Sequence, residues 1–181
     1  FSGLGRLYGA GALERLRRAH VAIIGTGGVG SWTAEALARS GVGRITLVDP
    51  DEICVTNSNR QLPALAGTYG RLKIAVLAER LRLIHPELEV IEVPAFFTAS
   101  NASSLLTGGY DVVVDGSDNF ATRFLAADTC FAVGRVLVTA AVSEFDGSIT
   151  TLAPHLAGPD GTPNPSYRCL FPEPPPRGLV P

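Results

Sequence analysis

The stretch His20-Val21-Ala22-Ile23-Ile24-Gly25-Thr26-Gly27-Gly28-Val29-Gly30-Ser31 decides the fold. Its first five residues form a short apolar run that stops at a glycine, the pattern of a strand buried on both faces of a parallel sheet. Gly25 to Gly30 then fit G-x-G-x-x-G, placed after a strand and opening a helix. Glycines there allow a tight turn and close approach of phosphate oxygens, which the helix N-terminus favours electrostatically. The alternative is a glycine-rich turn with no ligand. Strand, turn and helix in this order favour a nucleotide, without separating a dinucleotide from a mononucleotide.

Outward from this turn, apolar runs alternate with helical patterns. Ser31–Ser40 predicts a helix rich in Ala and Leu, stopped at Gly41. Arg44–Val48 is the next strand, broken by Asp49-Pro50-Asp51. Ile74, Leu77, Leu81 and Ile84 recur at three- and four-residue steps, an amphipathic helix within Arg71–His85 that Pro86 ends. Strands follow at Glu89–Val93, Val112–Val114, Val136–Val142 and Ser148–Leu152. Helices are expected near Ser100–Leu106 and where Phe120, Phe124, Ala127 and Phe131 repeat. The fold class is therefore α/β, a mostly parallel sheet with helices on both faces. Ligands in such sheets bind beyond the carboxyl ends of the strands, near the point where strand order reverses.

Composition agrees. The 181 residues are 46% hydrophobic and 18% charged, which excludes a disordered or fibrous chain. Fifteen Lys+Arg against 17 Asp+Glu give a net charge of −2, which argues against bulk-charge binding to nucleic acid. No apolar run is long enough to span a bilayer. Three scattered cysteines, Cys54, Cys130 and Cys169, make no disulfide framework and suggest a reducing compartment, the cytoplasm. Cys54 and Cys130 lie among apolar neighbours and are expected in the core. There is no Met, so the stretch reads as a portion of a longer product. Residues 1–153 are expected to form the nucleotide-binding domain. The segment 154–181 holds nine of the 13 prolines, including Pro172 and Pro174-Pro175-Pro176. It is expected to be a linker, or an extended arm that packs on something outside the segment.

The candidate chemistry lies in the loops. Asp49, about 20 residues past Gly30, is placed to accept from a ribose hydroxyl or merely to cap a turn. Asn57-Ser58-Asn59-Arg60-Gln61 sets amides and a guanidinium in a segment without regular pattern, and Lys73 opens the following helix. Fixed cations there suit a triphosphate, where a pentavalent phosphorus and a departing pyrophosphate develop charge. An exposed loop arginine and a solvated helix lysine would look the same. In Asp115-Gly116-Ser117-Asp118-Asn119, Asp118 either caps the next helix or holds Mg²⁺ at the sheet's carboxyl end. The sequence has no G-x-x-x-x-G-K-[ST], G-x-S-x-G or C-x-x-C, and His20, His85 and His155 have no Asp or Ser partner at motif spacing. Phosphate-binding cations without a general base suit a nucleophile already anionic, such as a carboxylate attacking ATP.

Taken together, Gly25–Gly30, Asp49-Pro50-Asp51, Asn57–Gln61, Lys73 and Asp115–Asn119, in that order, resemble the ubiquitin-activating-enzyme-like adenylyltransferases, the MoeB/ThiF/HesA family. The resemblance runs from Arg6-Leu7-Tyr8-Gly9 into the Pro-rich arm. It implies a Rossmann-like ATP site with Gly25, Gly27, Gly28, Gly30, Asp49 and Asp51 at the nucleotide. Asn57, Arg60, Gln61 and Lys73 would surround the phosphates, with Asp118 at Mg²⁺ and Asn119 beside it. It further implies adenylation of the C-terminal Gly-Gly carboxylate of a small ubiquitin-like sulfur carrier, of molybdopterin-synthase or thiamin-pathway type. A homodimer is implied, with Arg6 one candidate to reach the partner's ATP. Phe145-Asp146-Gly147-Ser148 and Tyr167–Glu173 resemble that branch. Gly5–Gly9 and Ile53–Gln61 resemble tRNA threonylcarbamoyladenosine dehydratases, which adenylate a carboxylate on a modified tRNA base at the same site. The zinc of many sulfur-carrier enzymes needs two C-x-x-C pairs; Cys169 alone leaves no zinc site. An NAD-dependent oxidoreductase on the same turn and Asp49 is the alternative from another enzyme class.

Overall fold

The computed structural model describes residues 1–175. Two short helices, α1 (Ser2–Tyr8) and α2 (Ala10–Arg18), precede β1 (His20–Ile24). Then come α3 (Gly30–Arg39), β2 (Arg44–Val48), α4 (Lys73–Ile84), β3 (Glu89–Val93), α5 (Ala102–Leu106), β4 (Val112–Asp115) and α6 (Phe120–Val133). A hairpin of β5 (Val136–Ser143) and β6 (Asp146–Leu152), then α7 (Tyr167–Leu170), complete the order. The sheet runs β3-β2-β1-β4-β5-β6. All neighbours are parallel except β5 and β6, whose antiparallel pairing joins Leu137 to Leu152 and Ser143 to Asp146. This is a Rossmann-like arrangement, with strand order reversing between β1 and β4.

β1 is buried on both faces, and apart from His20 at its start it is apolar. Alternation sends Val21 and Ile23 to one side, where Ala34 and Ala38 of α3 and Ile74, Leu77 and Leu81 of α4 cover them. Ala22 and Ile24 face the other side, against Phe124, Ala127 and Cys130 of α6, with Tyr110. Burial pushes the Cys130 thiol up to about 12, so it stays a neutral core group.

The strands and the helices α3, α4 and α6 follow the sequence reading closely. The N-terminal helices α1 and α2 do not appear in it, and two other expectations change. Cys54 is exposed, not in the core. It sits in extended backbone next to Ile53, and alternation that buries Ile53 turns Cys54 to solvent, where its sulfur accepts from the Thr56 hydroxyl at 3.3 Å. Val55–Asn57 form a single 3-10 turn capped by Cys54, and the residues from Ser58 to Gln61 follow it without helix or strand, as expected. The described part of the arm packs back on this domain. Tyr167 is buried against Phe124, ring centroids 5.1 Å apart, and Arg168 forks onto Asp128 at 2.7 and 2.9 Å. Pro176 and the residues after it lie outside the described range.

At the far end of β1 from the glycine turn, His20 Nε2 lies 2.8 Å from Thr46 Oγ1, and the ring packs on Tyr110. Burial, then the Arg44 charge, lower its pKa from the ordinary 6.5, while Glu89 and Asp111 pull the other way. The unfolded chain therefore binds this proton first, so His20 stabilises the fold above pH 6.5 and loses that contribution as pH falls through its lower folded value. His20→Gln should flatten the fall in Tm between about pH 7.5 and about pH 5.5. Parallel Tm curves for the two proteins would contradict the reading of this histidine.

Candidate nucleotide-binding site

The carboxyl ends of β1, β2 and β4 open on a cavity of about 800 Å³. That is the range of small-molecule sites. Gly25 leaves β1 with φ +82°, donating to the Val48 carbonyl, and Gly116 donates to the Ile24 carbonyl. The glycine turn is thus tied to both neighbouring strands. Gly30 does not line the cavity but lies directly beneath it. A Cβ there would stand 1.8 Å from the Gly25 carbonyl oxygen. α3 opens with no side-chain cap; the Ser31 amide already donates to the Gly27 carbonyl at 3.1 Å, so an anion there would be met by the remaining amides of the turn and by the positive end of the helix.

Asp49 is buried at the end of β2. One of its oxygens accepts from the Thr26 amide and hydroxyl at 2.7 and 2.9 Å, and the other from the Asp51 amide at 2.9 Å. The carboxylate therefore braces the first turn as well as lining the cavity. Its second oxygen, with one bond made, has capacity to accept another donor. Lys73, the first residue of α4, is almost wholly buried and reaches Asp51 at 2.7 Å. That salt bridge fixes the ammonium at the cavity wall.

Arg60 lies with its stem over Gly28, where a Cβ would meet Arg60 Cγ at 3.2 Å. Its Nη1 donates to Asn59 Oδ1 at 3.0 Å and to the Thr56 carbonyl at 3.3 Å. Gln61 is buried at the same wall, with its Oε1 lacking a partner. A buried amide oxygen of that kind costs free energy until a ligand donor or a water satisfies it. Asn119 caps α6 by accepting from the Thr122 amide at 2.9 Å. The cap is therefore Asn119 and not Asp118, whose carboxylate stands at the cavity wall.

Of the sequence candidates, Gly25, Gly27, Gly28, Asp49, Asp51, Arg60, Gln61, Lys73, Asp118 and Asn119 line one cavity. Asn57 does not. Its Oδ1 accepts from the Cys54 amide at 2.9 Å, closing the 3-10 turn, and Asn59 stands at the wall in its place. The sequence reading missed Trp32, Phe96, Phe97 and Arg123. Phe96 and Phe97 follow β3, whose carboxyl end faces the cavity, so the strand-end rule pointed to them though no motif did. Arg123, one turn into α6, donates to the Ser117 carbonyl at 2.6 Å. A second hollow of about 660 Å³ adjoins the first, sharing Asp118, Arg123 and Val142. Tyr167, Leu170 and Phe171 are among its walls.

Residues 3–181 match the ThiF family. The chain is 55% identical over 123 residues to a tRNA threonylcarbamoyladenosine dehydratase of Haemophilus influenzae, covering 68% of this chain and 47% of that protein. It is 41% identical over 169 residues to a sulfur carrier protein adenylyltransferase of Thermus thermophilus, covering 93% and 61%. Among solved structures, E. coli tRNA N6-threonylcarbamoyladenosine dehydratase in complex with ATP superposes with a TM-score of 0.75 at 45% identity. That match covers 77% of this chain and 57% of the other. The chain spans about half the length of the curated relatives it matches.

Proposed function

Because the chain belongs to the ThiF family, we propose that it uses ATP to adenylate a carboxylate, the C-terminal Gly-Gly carboxylate of a small ubiquitin-like sulfur carrier. One observation carries the chemistry. Arg60, Lys73 and Asp118 converge on the cavity of the glycine turn, and the described lining residues include no histidine or cysteine. That set stabilises phosphate charge and suits a nucleophile that arrives ionised.

The residues divide the work as follows. The glycine turn and the α3 amides take phosphate oxygens, while Asp49 accepts from the ribose through its less occupied oxygen. Phe96 and Phe97 wall the apolar end, where a purine face fits. The substrate carboxylate enters through the adjoining hollow and attacks the α-phosphorus. A new C(O)–O–P linkage forms, the α,β P–O bond breaks, and pyrophosphate leaves with its electron pair. Arg60 and Lys73 offset the charge that grows on the phosphoryl oxygens. No proton moves at the nucleophile.

Asp118 fits Mg²⁺. It is a hard carboxylate at the cavity wall, and no group of three or more His, Cys, Asp or Glu able to cage an ion exists among the described residues. Mg²⁺ is typically held by one or two carboxylates, with phosphates and water completing its shell. Bound there it would neutralise charge on the departing pyrophosphate. Asp118 would fix its position beside the glycine turn.

The carrier reading is supported by the relative that matches 93% of the chain and by a net charge of −2, which offers no bulk attraction to RNA. The 55% match to a dehydratase supports a second reading, in which the same site adenylates a carboxylate on a modified tRNA base. A nicotinamide cofactor, with only a bridging pyrophosphate and no phosphoryl transfer, makes less use of Arg60 and Lys73 than a triphosphate does. Mass spectrometry separates the substrates. Incubation of full-length protein with Mg-ATP and a Gly-Gly-tailed carrier should give an AMP adduct on the carrier's C-terminus. An unmodified carrier, with cyclisation of the modified base in tRNA, would establish the second reading. We further propose that the protein works as a homodimer.

A further inference from the structure

The loop that bears Arg60 and Gln61 is held by helix α3, the helix that opens at the phosphate turn. Trp32 Nε1 donates to the Arg60 carbonyl at 3.0 Å. Its neighbour Ser31 accepts from the Leu62 amide at 3.3 Å and donates to the Gly27 carbonyl at 2.6 Å. These two contacts bracket Gln61. They fix both peptide groups on either side of it relative to the glycine turn. Within the loop, the Arg60 and Gln61 amides donate to the Asn57 carbonyl at 3.1 and 2.9 Å, so the segment moves as one turn.

Trp32 is an expensive way to hold one carbonyl. The residue is 56% exposed, so little of the ring is used in packing. Packing alone does not account for it, whereas the indole N–H is a donor with a fixed direction. Because the Arg60 stem lies against Gly28, a shift of the Arg60 backbone carries the guanidinium along or off the phosphate turn. We propose that Trp32 is a positioning residue for Arg60, setting where its guanidinium stands over the phosphates through the indole–carbonyl hydrogen bond. The inference rests on the reading of the cavity as an ATP site and adds how the distal phosphates are recognised.

The variant that tests it is Trp32→Phe, which keeps an aromatic ring and removes the N–H. Two measurements on the full-length protein are made together. In nucleotide-free protein, hydrogen–deuterium exchange of the amides at 60–62 should quicken by about fivefold, with α3 unchanged. In calorimetric titrations, affinity for Mg-ATP should fall by about fivefold, while affinity for AMP, which lacks the phosphates proposed to meet Arg60, stays the same. Arg60→Ala should lose the same preference for Mg-ATP, and adding Trp32→Phe to it should cost nothing more. Equal weakening toward both nucleotides would make Trp32 part of the cavity wall only, and full additivity with Arg60→Ala would mean that it acts apart from Arg60. Unchanged exchange in Trp32→Phe overturns the inference alone. A wild-type protein that binds neither nucleotide overturns the proposed function, and the inference with it.

Discussion

Arg60→Ala is expected to lower adenylate formation by about 10²-fold or more while leaving the folding transition where it was. The size follows from where the charge develops. In the ground state the phosphates are already anionic and solvated, and the glycine turn with α3 holds them. As the α,β bond breaks, new negative charge builds on the oxygens of the departing pyrophosphate, which the proposal places over Gly28, where the Arg60 stem lies. A fixed cation there lowers the barrier more than it strengthens ground-state binding, so the loss should fall mainly on kcat. Stability should hold because the side chain is exposed and makes only loop bonds, to Thr56 and Asn59. Steady-state adenylation beside a thermal melt checks both halves. Wild-type turnover would remove Arg60 from the chemistry, and a large drop in Tm would make it a structural residue.

Gly30→Ala should act at the other extreme, through the backbone. A Cβ at position 30 meets the Gly25 carbonyl oxygen at 1.8 Å and the Gly25 carbonyl carbon at 3.0 Å. Neither atom is the free end of a side chain. Gly25 is itself held by Val48, and Gly116, which packs on Gly30, is held by Ile24. Relief therefore requires moving the glycine turn away from two strands. Such forced backbone shifts cost about 3 kcal/mol, more than any helix-propensity gain from alanine. The urea midpoint should fall accordingly, and Mg-ATP binding should be lost even where the chain remains folded. A midpoint and an affinity like the wild type would mean that the turn is looser than its geometry implies.

Sequence and structure agree best where a residue type has only one physical use. Four apolar residues in a row before Gly25, Val21 to Ile24, leave little but a two-sided buried strand. Gly25 and Gly30 are legible because no side chain fits at either place. The strands and the helices α3, α4 and α6 follow from the same logic of period and stop signals. Asn57 shows where that logic fails. An amide in a loop is equally good as a ligand to phosphate or as a cap on its own turn, and here it caps Cys54. Asp118 is ambiguous for the same reason, as a helix cap or a ligand to Mg²⁺, and only three-dimensional placement gives the cap to its neighbour Asn119. Cys54 was misread because apolar neighbours in sequence are not neighbours across a face in extended backbone. The helices α1 and α2 are harder to read because both are short and no residue of either is fully buried; α2 carries only a brief apolar stripe, of which Leu16 packs on the edge of the core. Trp32 carried no motif at all; its role depends on a carbonyl 28 residues away.

The central claim is that this cavity joins a carboxylate to AMP with release of pyrophosphate. Pyrophosphate–ATP exchange by the full-length protein tests it most directly, because label returns to ATP only if the α,β bond is broken reversibly. Exchange that requires a Gly-Gly-tailed carrier, and that falls sharply in Arg60→Ala, is the expected result. Tight Mg-ATP binding without exchange, in the presence of the carrier and of modified tRNA alike, would contradict it.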